Sequence, residues 1–399
     1  MTRILLISAI LTVSAIVLSA QQVIYNFDDC SLTEATGTWP DATTSSPPDC
    51  QCGAQQNGMY LDGGQNHISF DSDLDTLLLG DFTMSFYFRL EEATARTDIF
   101  SIRSTCQADS VLAFTYEPAS NNLVLQLASS IANLQVFDHP LDTDVCWHRF
   151  VLTKSGLLYS WYIDDQLVRS YVAPSNVEFG KSASMAFSNS PCLAVAEDRM
   201  QGWIDEFTIH TRALTPVELT ANDLNVDQII TSDTTIVQGE SVIINTGPTC
   251  ATTWTWTPAA TIDDPSLLDI VVTPEESTTY TLNITNIGGC LTADTVRIFV
   301  LNEDALDCQE LLLPNAFTPN NDLLNDQYGI SNLFLVEELE YFEIYDRWGA
   351  KVWETTDKAG TWDGNYGGTP VNPGMFIYKV KYTCKGDEYV KLDNFSVLR

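Results

Sequence analysis

Short runs in which apolar and polar residues alternate fill the first half of the chain. FTMSFYFRL (82–90), NLVLQLAS (122–129) and HRFVLTK (148–154) alternate or are rich in β-branched and aromatic residues, which predicts strands. GLLYSWYIDDQLVRSYV (156–172) is two such arms around the polar pair Asp164-Asp165, a hairpin pattern. Helical periodicity is nearly absent. LTPVELTANDL (214–224) alone carries a helix start, with Thr215 as cap, Pro216 in the first turn and Glu218 three residues on. Residues 23–212 therefore read as an antiparallel sandwich closed by one short helix.

From 227 to 301 the pattern changes. SVIINTG (241–247), TTWTWTP (252–258), LLDIVVTP (267–274), STTYTLNIT (277–285) and DTVRIFV (294–300) are Thr-, Ile- and Val-rich strands parted by turn residues. A strand every ~8–12 residues suggests a second, smaller sandwich. After the acidic linker NEDALDCQE (302–310), a third block carries LPNAFTPNNDLLNDQY (313–328), YFEIYDRWGAKVWET (341–355), GTWDGNYGGTPVNPGMFIYKVKY (360–382) and NFSVLR (394–399). The fold class is all-β, divided into 21–225, 226–302 and 309–399.

Length and charge narrow the function. The chain has 399 residues, room for about two to four domains. Its 19 Lys and Arg against 53 Asp and Glu give a net charge of −34, a field that repels nucleic acid and anionic membrane. Residues 1–20 read as a secretory signal: Arg3, the apolar run ILLISAILTVSAIVL (4–18), then Ser19-Ala20 as a small-residue cleavage site. That run is shorter than the ~20 residues a spanning helix needs, no other stretch is long enough, and no Cys follows the cut. A soluble exported product is expected. Ten cysteines in an exported chain point to disulfides, and their spacing, with four scattered histidines, does not suit a zinc site.

Several stretches resemble known families. YNFDD (25–29), MYLDGGQNHISF (59–70), FTMSFYFRL, WYIDDQLV (161–168) and above all GWIDEFTIHTRALTPVEL (202–219) are similar to the landmarks of a laminin-G-like, concanavalin A-like jelly roll. That resemblance implies glycan or protein binding, and a calcium ion held by Asp28, Asp62 and Asp205 or Glu206. TWTWTP, TTYTLNIT and GGC in the second block resemble Ig-like or PKD-like modules of bacterial surface proteins. This module is expected to act as a spacer, with Cys250 and Cys290, which flank its core strands, paired. The last ninety residues resemble the gliding motility-associated C-terminal domain, the type B sorting signal of type IX secretion. The residues carrying that likeness are Pro314, Asn315, Phe317, Pro319, Asn320, Asp322, Asn325, Asp326, Arg347, Trp348, Gly349, Trp362, Asp363, Gly364 and Gly374. The resemblance implies an Ig-like β-sandwich read by the type IX machinery. Asn and Asp satisfy the turn of the 320–326 loop, which also offers clustered oxygens to calcium. Trp348, Trp353 and Trp362 are expected in the core, and a Cys308–Cys384 bond would staple the domain's ends. Cys30, Cys50, Cys52, Cys106, Cys146 and Cys192 are expected to form three further bonds among fifteen possible pairings.

The residues do not predict an enzyme. The E-x-D-x-x-E strand of concanavalin-like glucanases is absent, as are nucleophile-elbow, zinc-helix and phosphate-loop motifs. Asp205-Glu206 is the nearest carboxylate pair, and neighbours on a regular strand face opposite ways. Binding is the better expectation, with Trp39, Trp147, Trp161 and Trp203 as sugar-stacking candidates. The leading function is adhesion or glycan binding at the cell surface. The alternatives are a structural surface-layer component working through protein contacts, and a secreted glycoside hydrolase.

Overall fold

The computed structural model describes residues 22–91, 93–107, 110–179, 183–193, 195–302, 306–320 and 324–398. The expected signal segment 1–20 and Asp322 lie outside them. The chain is nearly all β and divides into two compact units, one up to Phe299 and one from Val300.

The first unit opens with β1 (Gln22–Tyr25), β2 (Asp49–Cys52), β3 (Asn57–Asp62), β4 (Ile68–Phe70) and β5 (Phe82–Leu90). β6 (Thr97–Arg103), β7 (Val111–Glu117), β8 (Asn122–Ala128), β9 (Gln135–Pro140) and β10 (His148–Ser155) follow. β11 (Leu158–Ile163), β12 (Gln166–Val172), β13 (Ser184–Phe187), β14 (Asp198–Arg199) and β15 (Gln201–His210) complete the sandwich. One sheet runs β12-β11-β10-β5-β15-β3-β2 with β1 beside β15; the other runs β4-β13-β6-β7-β8-β9 with β14 beside β6. Alternation explains the packing. Phe82, Met84, Phe86 and Phe88 of β5 point into the core, where Phe86 stacks on Phe150 at 4.8 Å. Thr83, Ser85, Tyr87 and Arg89 take the opposite, outer face. Asp164 and Asp165 make the expected hairpin turn, both left-handed at φ 48° and 58°. Thr215 and Glu218 form the expected capping box on α1 (Pro216–Ala221), whose Leu219 packs with Val151 and Tyr162 on the outer face.

The small module comprises β16 (Thr234–Val237), β17 (Val242–Ile244), β18 (Ala251–Thr257), β19 (Ile270–Val272), β20 (Thr278–Asn286) and β21 (Leu291–Leu301). Its sheets are β16-β21-β20-β18 and β17-β19. Here the disulfide expectation is corrected. Cys250 and Cys290 do not pair with each other: Cys250 bonds Cys52 and Cys290 bonds Cys146. The module is thus tied twice to the sandwich and is no free spacer. The physical reason is a second hydrophobic core on the outer face, where Ala54, Tyr87, Trp147, Trp203 and Val226 pack with Cys146 and Cys290. Of the three bonds expected among the other six cysteines, two form, Cys30–Cys50 and Cys106–Cys192; Cys52 and Cys146 bond across modules instead.

The second unit holds β22 (Ala316–Phe317), β23 (Glu338–Asp346), β24 (Lys351–Thr355), β25 (Asn365–Tyr366), β26 (Thr369–Pro370), β27 (Gly374–Cys384) and β28 (Asp387–Val397). Its main sheet runs β22-β28-β27-β23-β24, and the Cys308–Cys384 bond forms as expected. Among the described residues no helix is long and apolar enough to cross a membrane.

Candidate functional site

The Asp205-Glu206 pair sits at an irregularity in β15, the strand between β5 and β3. Ile204 and Phe207 both face the core, with two residues between them where alternation allows one. The pairing of β15 with β5 slips between Asp205 and Thr208, and Glu206 is left-handed at φ 51°. This bulge overrides the expected opposition of the two carboxylates and turns both away from the core. They then meet different surroundings. Asp205 is fully buried; its Oδ2 accepts from the Gln55 amide at 3.1 Å and its Oδ1 from the Glu206 amide at 2.9 Å. Gly53 and Gly58 close over it, since a Cβ at Gly53 would lie 2.3 Å from Oδ2 and one at Gly58 3.2 Å from Cγ. Burial pushes the Asp205 carboxyl up to about 8 and the Glu206 carboxyl up to about 7, the latter with Asp28 as the next cause.

Glu206 lines a polar pocket of about 230 Å³ on the outer face with Ser85, Tyr87, Arg149, Thr208 and His210. The Ser85 and Thr208 hydroxyls bond each other at 2.8 Å, and Arg149 Nη1 donates to Asp165 and to the Leu219 carbonyl, each at 2.8 Å. Gln22 Nε2 and His210 Nδ1 lie 2.9 Å apart, and burial holds the His210 imidazole below its ordinary range. Tyr87, Arg149 and His210 were missed from sequence because no motif links them; only their outward parity on three strands signals them.

The four carboxylates named for calcium are not brought together. Asp62 pairs with Gln201, four residues from Asp205, which is roughly 13 Å along the strand. Asp205 already accepts from backbone on both oxygens. Asp28 retains a buried Oδ1 with no hydrogen-bond partner and lies near Glu206. Calcium takes about six to eight oxygens, which these two carboxylates do not approach. Among the described residues no group of three or more His, Cys, Asp or Glu side chains is placed to hold a metal.

The sugar-stacking expectation is also corrected. Trp161 is 1% exposed in the sandwich core, Trp147 and Trp203 lie buried beneath the small module, and Trp39 packs against the core edge. Arg89 and Tyr60 occupy the ring of Trp203, at 4.4 Å and 4.6 Å.

In the second unit, the apolar residues of the 313–328 stretch build the core. Phe317 and Tyr328 join Trp362 and Phe395 in one ring cluster, Tyr328 and Phe395 stacked at 3.7 Å. The polar residues shape the loop: the Asn320 amide donates to Asp326 Oδ1 at 2.7 Å, and left-handed Asn325 accepts from the Thr318 amide at 2.9 Å. Asn315 accepts from the Ser396 amide, joining Pro314 and its neighbours to the last strand. Gly364 is left-handed at φ 76°, and a Cβ there would lie 2.7 Å from Pro319, so this position requires glycine. Asp363 Oδ1 accepts from the Asn365 amide, and Gly374 opens β27. Trp348 departs from the core expectation. It is 81% exposed at the tip of the Asp346–Ala350 turn, with Arg347 over its ring at 5.2 Å and Gly349 left-handed behind it. The turn has too few residues to fold the indole back onto the sheet.

Residues 311–393 match the family model of the CHU_C type IX secretion signal domain, and residues 62–220 that of the concanavalin A-like lectin/glucanases superfamily. Among solved structures, domain 4 of AbnA, a GH43 extracellular arabinanase from Geobacillus stearothermophilus, in complex with arabinotriose, is 20% identical over 51% of this chain and 98% of its own, TM-score 0.42. The CBM40 of the Ruminococcus gnavus IT-sialidase is 13% identical over 41% and 95%, TM-score 0.34. The botulinum neurotoxin serotype C1 binding domain is 12% identical over 94% and 94%, TM-score 0.41. No curated protein matches the chain.

Proposed function

We propose that this chain, which carries a type IX secretion signal domain behind a concanavalin A-like sandwich, is a glycan-binding adhesin displayed at the cell surface. The observation that supports it best is the joining of those two domains in one polypeptide. An export address requires a cargo that works outside the cell, and the cargo is a sandwich of a lectin and glucanase superfamily. Binding is favoured over hydrolysis by the state of the nearest carboxylate pair. Asp205 is sealed by backbone amides and glycines, so it cannot face a scissile bond opposite Glu206. The strong negative charge suits a protein that must stay soluble outside the cell.

The test is a glycan array probed with the full mature chain, in calcium and again in chelator. The expected result is binding to a defined neutral glycan class, retained in chelator because the four carboxylates named for calcium do not converge. Loss of binding in chelator would reinstate a calcium-built site. Silence on every glycan from a folded chain would overturn the reading in favour of protein contacts within the surface layer.

A further inference from the structure

A wide cleft of the first unit lies where the sandwich meets the small module. It measures about 740 Å³, more than three times the pocket beside Glu206 and within the usual range for ligand sites, which favour such junctions. The sandwich supplies Glu91 from the end of β5, Asp142 and Thr143 from the β9–β10 loop, and Gln201 from the start of β15. The small module supplies the backbone of Gly288 and Gly289, and the Cys146–Cys290 bond joins the two walls.

The cleft is held in shape before any ligand arrives. Arg89, buried and packed on Trp203, donates to the Ile287 carbonyl and pins the glycine turn. Gly288 and Gly289 are left-handed at φ 79° and 81°. A Cβ at Gly288 would meet Arg89 Nη2 at 2.9 Å, whereas nothing lies within 4 Å of one at Gly289, so the turn presents bare backbone to open space. Tyr60 locks the other wall: its hydroxyl donates to Glu91 Oε2 at 3.1 Å and accepts from Gln201 Nε2 at 3.2 Å. A wall already fixed loses little entropy on binding.

The geometry points to this cleft as a binding site for a neutral oligosaccharide, built jointly by the sandwich and the small module; it rests on the glycan-binding reading and gives that reading a location. Glu91 and Asp142 present carboxylate acceptors, Gln201 an amide and Thr143 a hydroxyl, the partners that sugar hydroxyl donors require. Leu90 and Leu141 offer apolar surface to sugar C–H faces. The same carboxylates, on a chain of net charge −34, repel uronates and other anionic sugars.

The test is calorimetric titration of the full oxidised chain with cello-, xylo-, manno- and laminarihexaose, and with hexagalacturonate as the anionic comparison. At least one neutral hexaose is expected to bind and hexagalacturonate is not. Thr143→Arg, which fills the cleft from an exposed turn, and Gln201→Ala, which removes an exposed amide, are each expected to weaken that binding by about tenfold or more with melting unchanged. Neutral binding untouched by both variants would overturn this location and leave the glycan-binding reading standing. No hexaose bound while an array glycan is bound would overturn the ligand class assigned here. Silence on both the hexaoses and the array would overturn both.

Discussion

Replacing Cys52, Cys250, Cys146 and Cys290 by serine is expected to split the melting of the first unit into two transitions, the small module unfolding first. The two bonds span 198 and 144 residues. Each restrains a long stretch of the unfolded chain, and loss of such a bond costs about 2–5 kcal/mol. Without them, the second core around Trp147, Trp203 and Val226 and the Arg89–Ile287 hydrogen bond still tie the small module to the sandwich, but without a covalent clamp. The sandwich keeps its own large core and its Cys30–Cys50 and Cys106–Cys192 bonds, so its transition should move less. Differential scanning calorimetry of the oxidised full chain and the four-serine variant makes the comparison. One unshifted transition in the variant would show that the seam coheres without its covalent ties.

The second large effect is a loss of stability with rising pH, opposite to the usual behaviour of paired carboxylates. Burial raises the Asp205 carboxyl to about 8, and Glu206 and Asp98 to about 7. A carboxyl whose pKa is higher in the fold than in the unfolded chain stabilises fully below the unfolded value, and that contribution is lost as pH climbs through the folded value. The window is therefore about pH 4 to 8, and the loss from Asp205 alone is on the order of 5 kcal/mol. Asp205 and Glu206 titrate as a pair, so the decline should be broad. His210, depressed by burial, acts in the opposite sense below the ordinary imidazole range and blunts the fall. Thermal midpoints of the wild-type chain should fall between pH 5 and pH 8, and Asp205→Asn, which keeps an acceptor for the Gln55 amide, should flatten the fall. A midpoint that rises across this window would contradict the burial of Asp205 as an uncharged acid.

Much of the fold is legible in the sequence because it follows local rules. Alternation in 82–90 and 148–154 places Phe86 against Phe150, the Asp164-Asp165 pair makes its turn, and Thr215 with Glu218 caps the helix. Most of the failures are of longer range. Nothing local announces the bulge that turns Asp205 and Glu206 to the same side, because its cause is the pairing of β15 with β5. The cysteine partners depended on a packed face between modules that no spacing reveals. That same covering buries Trp147 and Trp203, which an isolated sandwich would present outward. Trp348 errs the other way: its type suggests core, but its place at the tip of the Asp346–Ala350 turn decides otherwise. In the last unit Phe317, Tyr328 and Trp362 meet in one cluster, and the Asp326 side chain closes the loop on the Asn320 amide.

The central claim is that one chain carries both an address for export and a sandwich that binds glycans outside. The most direct measurement is the binding of a fluorescently labelled neutral glycan, taken from the array, to intact producing cells, with the full gene and with residues 309–399 deleted. Cells with the full gene are expected to bind the glycan; cells with the deletion are expected not to, while their periplasmic extract does. Equal labelling of both cell types would contradict the role of the C-terminal domain in export, and no labelling of either, with the chain present on the surface, would contradict the glycan-binding role.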